Sequence, residues 1–274
     1  MQETHPIGIF DSGFGGLTVF KAIKERLPQY DYLYLGDNAR APYGDRSLDI
    51  VYEYTLQAVE WMFNKGCPLI ILACNTASAE ALRKIQMNDL PRMGAEKRVL
   101  GVIRPTAEIV GQYSKKKAVG VLGTHGTVDS YIYPVEIGEF FPDVQVFQHA
   151  CPMWVPMIEN NEHHSGAAEH FVKQDLDKLL QQCPDIDTIL LGCTHYPLLL
   201  ETVKKHLPDG VKVVTQGEIV ADSLADYLQR NTEIERQLTH GGDVSFYTTD
   251  SPAHFDKHGS AFFGEEVHSQ YVRL

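Results

Sequence analysis

Short apolar runs along the chain alternate with longer stretches in which apolar residues recur at helical spacing. Residues 7–10, 68–73, 118–124 and 187–193 are such runs, each bounded by polar or glycine-containing loops. Runs this short, without polar alternation, are typical of strands buried on both faces, and the helical stretches between them indicate parallel strands covered by helices. The further predicted strands are 30–37, 98–103, 144–150 and 211–217, and the predicted helices are 16–28, 47–65, 76–87, 166–182 and 197–206.

The pattern restarts near the middle of the chain. Gly8–Gly13 aligns with Gly120–His125, and with a similar offset Cys74 in "LACNTASAEAL" aligns with Cys193 in "LGCTHYPLLLE". This weak repeat predicts an α/β fold of two pseudo-symmetric lobes, each a mostly parallel sheet flanked by helices, with the active site in the cleft between them. The predicted lobes are residues 1–101 plus 214–274 and residues 102–213, so we expect the chain after Gly217 to return to the first lobe.

The two cysteines occupy equivalent positions, just beyond a strand's carboxyl end and at the start of a helix. The positive end of a helix dipole lowers the pKa of a thiol, so we expect both thiols to exchange protons near neutral pH. Thiols on opposite faces of a stereocentre can remove a proton from one face and return one to the other, which inverts the configuration. Such chemistry predicts that Cys74 and Cys193 share one cleft, with sulfurs roughly 6–9 Å apart.

Composition narrows the class of protein. The chain has 274 residues, 43% hydrophobic and 22% charged, which is ordinary for a globular protein. Its net charge of −12 argues against nucleic acid or an anionic membrane as a partner. The two-thiol chemistry at a stereocentre predicts a small-molecule substrate, and we also expect a homodimer.

The cysteine pattern indicates a reducing compartment. The five cysteines are an odd number spread over a long chain, without a CxxC pair, so neither a disulfide framework nor a structural zinc site is predicted. No secretory signal and no apolar stretch long enough for a bilayer is recognisable, so we expect a cytoplasmic protein. Cys67, Cys151 and Cys183 lack the strand-end context of the other two, and we interpret them as structural.

The chain resembles the glutamate racemases of the cofactor-independent aspartate/glutamate racemase family. The matching segments span nearly the whole sequence; they are "IGIFDSGFGGLTV", "YLGDNARAPYG", "ACNTASA", "VLGTHGT", "ACPMWVPMIE", "LGCTHYPLL", "TQG" and "FYTTDSP". The resemblance implies interconversion of L- and D-glutamate without pyridoxal phosphate or metal, supplying D-glutamate for peptidoglycan. It also implies that Cys74 deprotonates D-glutamate and Cys193 deprotonates L-glutamate.

Several residues near the cysteines are candidates for a supporting role. Asp11 and Ser12 open a glycine-rich loop before a helix, where backbone N–H groups attract a carboxylate. The resemblance implies that both contact substrate and that Asp11 tunes Cys74; the alternative is a strand-to-helix turn with Asp11 as a cap. His195 can exchange a proton with Cys193, and Glu159 matches an acidic residue that the family places near the second cysteine.

The resemblance implies further substrate contacts through backbone or neutral hydrogen-bonding groups. The alternative is an ordinary turn for residues 42–44 and helix capping for the side chains at helix starts. Thr124 and Thr127 both fall in a stretch that contacts substrate in the family, and the sequence does not decide between them. The set is Pro42, Tyr43, Gly44, Asn75, Thr76, Thr124, Thr127, Thr194 and, again, His195.

The sequence leaves the role of Arg104 and the exact function open. Arg104 departs from the family pattern, and whether it serves lobe-junction packing or regulation is unsettled. The histidine-rich stretch 160–170 predicts a solvated loop rather than a metal site. The alternatives are an aspartate racemase, a Cys–His hydrolase with Cys193 as nucleophile, and a non-catalytic amino-acid-binding module. The last two leave Cys74 without a role.

Overall fold

A computed structural model describes residues 4–274, which form two parallel sheets flanked by helices. The predicted fold class is therefore confirmed. The strands are β1 (Ile7–Asp11), β2 (Tyr32–Gly36), β3 (Leu69–Leu72), β4 (Arg98–Gly101), β5 (Ala118–Gly123), β6 (Gln145–Ala150), β7 (Thr188–Leu191), β8 (Lys212–Val214), β9 (Val244–Thr248) and β10 (Ser269–Tyr271).

The first sheet has the strand order β10-β9-β2-β1-β3-β4, and each pairing is parallel. β1, β2 and β3 are buried along their whole length, as expected for strands covered on both faces. The edge strand β10 is short and largely exposed. After β8 the chain returns to this sheet, where β9 lies beside β2.

The second sheet has the order β6-β5-β7-β8, again with parallel pairings. β5 and β7 are completely buried, whereas the edge strand β6 is only half-buried and carries polar residues. This division of strands supports the lobe bounds 1–101 plus 214–274 and 102–213, which we keep as a proposal. β8 extends to Val214, one residue beyond the proposed bound.

Helices cover both sheets. The α-helices are α1 (Gly16–Arg26), α2 (Leu48–Asn64), α3 (Asn75–Glu80), α4 (Leu82–Lys84), α5 (Leu90–Met93), α6 (Ile103–Val110), α7 (His125–Asp129), α8 (Ile132–Phe140), α9 (Trp154–Glu159), α10 (Gly166–Gln182), α11 (Leu200–Lys205), α12 (Gly217–Arg230), α13 (Thr232–Glu235) and α14 (Pro252–Phe263). Single 3₁₀ turns at Asn38–Arg40, Gly111–Tyr113 and Tyr196–Leu199 and a π turn at Ile85–Asp89 complete the described elements. Within residues 4–274, no helix combines the length and apolar character needed to cross a membrane.

Two predicted helices differ from those observed. The helix predicted over 76–87 is broken at Ala81 and loosens into the π turn, which leads to Pro91, a residue with no N–H to donate. The helix predicted over 197–206 begins as a 3₁₀ turn at its proline and becomes α-helical only at Leu200. By contrast, α2 and α10 match their predicted ranges to within one residue.

Replacing Ile9 by alanine should measure how strongly the first sheet depends on its central strand. Ile9 is fully buried in β1, between Tyr34 of β2 and Ile71 of β3. We expect Ile9→Ala to lower the free energy of unfolding by about 2–5 kcal/mol, measured by urea denaturation, because it leaves a cavity. Leu48→Ala, at a position 52% exposed, is the control and should change it by less than about 0.5 kcal/mol.

Candidate active site

The two repeated cysteines line one cavity between the sheets. Cys74 follows β3 and caps the start of α3, and Cys193 follows β7. Both are free thiols, 6% exposed. The cavity is lined by Ser12, Ala41, Pro42, Tyr43, Gly44, Asp45, Cys74, Asn75, Thr76, Thr124, His125, Cys151, Pro152, Val155, Pro156, Glu159, Cys193, Thr194 and His195. The distance between the sulfurs remains a prediction.

The Cys74 thiol has a buried, partly acidic environment. Its Sγ accepts a hydrogen bond from the Ala77 N–H at 3.5 Å, and its S–H donates to Ser12 Oγ at 3.6 Å. Burial raises the pKa of Cys74 to about 12, the nearby Asp11 carboxylate adds to the rise, and the two hydrogen bonds oppose it. The expectation that the start of α3 lowers this pKa is therefore wrong for Cys74, because desolvation outweighs the helix N-terminus.

Asp11 lies beneath the cavity rather than on its surface. Its side chain is fully buried, and Oδ2 accepts a hydrogen bond from the Gly13 N–H at 2.9 Å. Burial raises the pKa of this carboxyl, while the charge of His195 opposes the rise. Since Asp11 is not among the lining residues, the arrangement supports an electrostatic effect on Cys74 and does not support direct substrate contact.

The Cys193 thiol has a cationic environment. His195 Nδ1 lies 3.9 Å from Cys193 Sγ, and its Nε2 donates to Glu159 Oε1 at 3.0 Å. Burial alone would lower the pKa of His195, but its hydrogen bonds and charge interactions with Cys193 and Glu159 raise it to about 10. The structure thus brings the predicted histidine and glutamate together, with a proton held at neutral pH beside the sulfur.

A glycine permits the close contact between the first lobe's loop and this histidine. A Cβ added at Gly15 would lie 2.3 Å from both His195 Nδ1 and Thr194 Oγ1. The hydroxyl of Thr18 donates to the Thr194 carbonyl at 2.9 Å across the same junction. The glycine-rich loop therefore supports the second cysteine's loop as well as the first.

Two further contacts close the cleft on the opposite side. The Gly44 carbonyl accepts a hydrogen bond from the Gly126 N–H at 2.9 Å, and Thr76 Oγ1 lies 3.0 Å from Thr124 Oγ1. Thr124 lines the cavity, whereas Thr127 is fully buried and is not among the lining residues. Thr124 is therefore the better placed of the two for substrate contact.

Tyr43 does not present its hydroxyl to the cavity. The hydroxyl donates to Asp37 Oδ2, so the residue lines the cavity through its other atoms. The Asn75 amide is likewise held internally, by Tyr133 and Gln216. Pro42, Gly44, Thr76 and Thr194 line the cavity, and their contact with substrate stays a prediction.

Sequence reasoning missed part of the cavity wall. Cys151, predicted to be purely structural, lines the cavity together with His125, Asp45 and the prolines of "CPMWVP". The match of that whole segment to the family could have indicated this part of the wall, but a site role is predicted from the sequence only for its Glu159. Among residues 4–274, no lysine or arginine lines the cavity.

One group of side chains at this wall consists of residue types that bind metal ions. In the described part of the chain, His149, Cys151 and Asp175 place ligand atoms within 4.8 Å of one another. The Asp175 carboxylate already accepts hydrogen bonds from His149 Nε2 and Trp154 Nε1, each at 2.9 Å. We interpret the group as a hydrogen-bond network that stiffens the wall.

Two conspicuous sequence features lie outside the cavity. Arg104 in α6 is exposed and pairs with Glu108 of the same helix and with Glu136 of α8. The choice between lobe-junction packing and regulation for Arg104 stays open. The rings of His163 and His164 lie with their centroids 4.2 Å apart, tilted by 48°, in the loop before α10.

Comparison with known proteins agrees with this geometry. The family described as Asp/Glu/Hydantoin racemase matches residues 8–224, well over half of the chain.

The chain belongs to the Asp/Glu/hydantoin racemase family.

Relatives within the family match over their whole length. The glutamate racemase of Streptococcus suis (strain 05ZYH33) is 38% identical, with 100% of both chains covered. That of Ruegeria sp. (strain TM1040) is 41% identical, over 95% of this chain and 97% of the relative. Among solved structures, glutamate racemase isoform RacE1 from Bacillus anthracis has a TM-score of 0.89 at 34% identity, covering 100% of this chain and 99% of that chain. The Francisella tularensis glutamate racemase, solved in complex with D-glutamate, has a TM-score of 0.87 at 31% identity, over 99% and 98%.

Replacing Glu159 by glutamine should lower the pKa of His195 below its value of about 10, because Glu159 stabilises the charged imidazolium. NMR titration of ¹⁵N-labelled histidine measures this directly. Glu162→Gln, at an exposed position three residues further along the chain and outside the cavity lining, should leave the titration unchanged. An unchanged His195 pKa in Glu159→Gln would show that the ion pair does not hold the proton.

The same shift gives a pH dependence of stability. The folded pKa of about 10 exceeds the unfolded value of about 6.5. The contribution of His195 is therefore complete below about pH 6.5 and is lost as the pH rises through about 10. The loss should be smaller in Glu159→Gln.

Proposed function

We propose that the protein is a glutamate racemase that interconverts L- and D-glutamate by proton transfer between two cysteines, supplying D-glutamate for peptidoglycan biosynthesis. Two free thiols on the wall of one cavity, each delivered by a different sheet, are the observation that carries the proposal. Family membership and the full-length match to proteins named glutamate racemase specify the substrate.

The protonation pattern suits the direction from L- to D-glutamate. Protonated His195 places a positive charge 3.9 Å from Cys193 Sγ, where a negative sulfur is needed to remove the α-proton. The raised pKa of Cys74 keeps that residue as a thiol, which then donates its proton to the opposite face of the carbanion. The two residues thus begin with complementary roles.

The reverse direction needs the opposite arrangement of protons. Cys74 must then be the thiolate, and the Ala77 N–H and the Ser12 hydroxyl are placed to donate to a negative sulfur there. Cys193 supplies the returning proton, with His195 beside it. Because the side chains provide both the acid and the base, the proposed transfer uses no cofactor.

Substrate binding is proposed to depend on neutral donors at the two cleft junctions. The hydroxyls of Ser12, Thr76, Thr124 and Thr194 and the backbone of 42–44 surround the space between the sulfurs. These groups are proposed to bind the carboxylate and ammonium groups of the substrate. Asp11 and Glu159 are proposed to act through Cys74 and His195 respectively.

The Cys193–His195–Glu159 arrangement also has the form of a hydrolase triad. That function would leave Cys74 unused on the same cavity wall. The racemase proposal gives a role to both thiols and is preferred for that reason. Homodimer formation and a cytoplasmic location stay predictions.

Incubation of pure L-glutamate with the protein, without added cofactor, should abolish the circular dichroism of the solution while the glutamate concentration stays constant. A two-base transfer equalises the enantiomers and consumes nothing. L-Aspartate in a parallel incubation tests the alternative substrate. Retention of the dichroism signal with glutamate would contradict the proposal.

Cys74→Ser and Cys193→Ser should each lower racemisation by at least about a thousandfold, because a serine hydroxyl is too weak an acid to supply an anionic base. Steady-state kcat in each direction is the measurement. Cys183→Ser, at a half-buried cysteine outside the cavity, is the matched control and should retain activity within about twofold. Near-normal racemisation by either active-site variant would remove that cysteine from the mechanism.

A further inference from the structure

Tyr133, in α8, spans the base of the cleft between the two cysteine loops. It is fully buried, and its ring lies against the backbone of Gly192, where an added Cβ would be 3.2 Å from Tyr133 Cε2. At the other end its hydroxyl donates to Asn75 Oδ1 at 2.6 Å. Gly192 immediately precedes Cys193 and Asn75 immediately follows Cys74, so one rigid side chain bridges the neighbours of both thiols.

A closed ring of hydrogen bonds holds the hydroxyl end. Asn75 Nδ2 donates to Gln216 Oε1 at 2.6 Å, Gln216 Nε2 donates to the Tyr133 hydroxyl at 2.9 Å, and that hydroxyl donates back to Asn75. Each member is both donor and acceptor in a buried setting, where such bonds reinforce one another. Burial raises the pKa of Tyr133 well above its usual range, so the hydroxyl keeps the proton that it donates.

The ring is also fixed to the connections between the sheets. Gln216 Nε2 lies 3.3 Å from the Val102 carbonyl and 3.1 Å from Thr106 Oγ1. Val102 follows β4, the last strand before the chain enters the second sheet, and Gln216 follows β8, the last strand before it returns. The two crossings and the two cysteine loops therefore share one buried junction.

We propose that Tyr133 is a positioning residue that sets the Cys74 loop against the Cys193 loop, acting through Asn75. Tyr133 does not line the cavity, so it does not touch substrate. This inference rests on the proposed racemase function, in which both sulfurs must reach one carbon. A small displacement of either sulfur then slows proton transfer far more than it weakens binding.

Tyr133→Phe tests the two contacts of this side chain separately. Phenylalanine keeps the ring against Gly192 and loses only the donation to Asn75, so the Cys74 side should loosen while the Cys193 side stays in place. We expect racemisation kcat to fall about tenfold, with KM changed less than about twofold. Gln216→Met, which removes the other partner of Asn75, should act in the same direction.

Single-base reactions provide the readout that a general loss of stability would not give. Elimination of HCl from threo-3-chloroglutamate needs one base to take the α-proton as chloride leaves. The D-enantiomer, assigned to Cys74, should be slowed about tenfold in Tyr133→Phe, and the L-enantiomer, assigned to Cys193, by less than about twofold.

Tyr32→Phe is the matched control, because it also removes a buried hydroxyl that donates at 2.6 Å, here to the Leu27 carbonyl. It should leave both eliminations unchanged, and thermal melting compares the folded state of all variants. Equal slowing of the two enantiomers, or no slowing, in both Tyr133→Phe and Gln216→Met would overturn the positioning role. Failure of the wild type to racemise glutamate would instead overturn the proposed function.

Discussion

The two thiols must face one carbon from opposite sides, and the architecture follows from that constraint. In parallel α/β sheets, ligands bind at the loops that follow the carboxyl ends of the strands. Here the loop after β3 of the first sheet and the loop after β7 of the second sheet line the same cavity. The loops of the two sheets can approach closely because glycines occupy the positions where they touch. Gly15 packs against His195, and Gly44 bonds to Gly126. Each sheet has a common parallel α/β arrangement, whereas the proposed proton transfer depends on the contacts between the loops of the two sheets.

The repeat in the backbone does not extend to the charges. Cys74 lies near the buried carboxylate of Asp11, which adds to the rise in its pKa caused by burial. Cys193 lies beside His195, which Glu159 helps to keep protonated. Similar strand-end turns thus present one sulfur to a negative neighbour and the other to a positive one. The pseudo-symmetry supplies opposed geometry, and the differing neighbours assign opposite starting roles.

Local pattern predicted the central strands and the two cysteine positions, because apolar runs and strand-end motifs are properties of adjacent residues. The same reasoning did not assign β9, β10 or α8, whose places depend on pairing and packing with distant segments. It misjudged the pKa of Cys74, since a helix start is visible in sequence and burial is not. Tyr133 carried no motif, and Gln216 lay in the matching segment "TQG" without a predicted role; the importance of both arises from contacts with Asn75, which lies 58 and 141 residues away.

Burial of both thiols in one cavity has a consequence for the number of protons they hold. A negative charge on Cys193 raises the pKa of Cys74, so the two sulfurs resist being charged together. His195 at the same time favours a negative charge on one of them. The state with two thiolates is therefore disfavoured. Racemisation needs one thiol and one thiolate, because two thiols provide no base and two thiolates provide no acid. The low polarity that makes Cys74 a poor base when isolated is thus what keeps a proton available for the opposite face of the substrate.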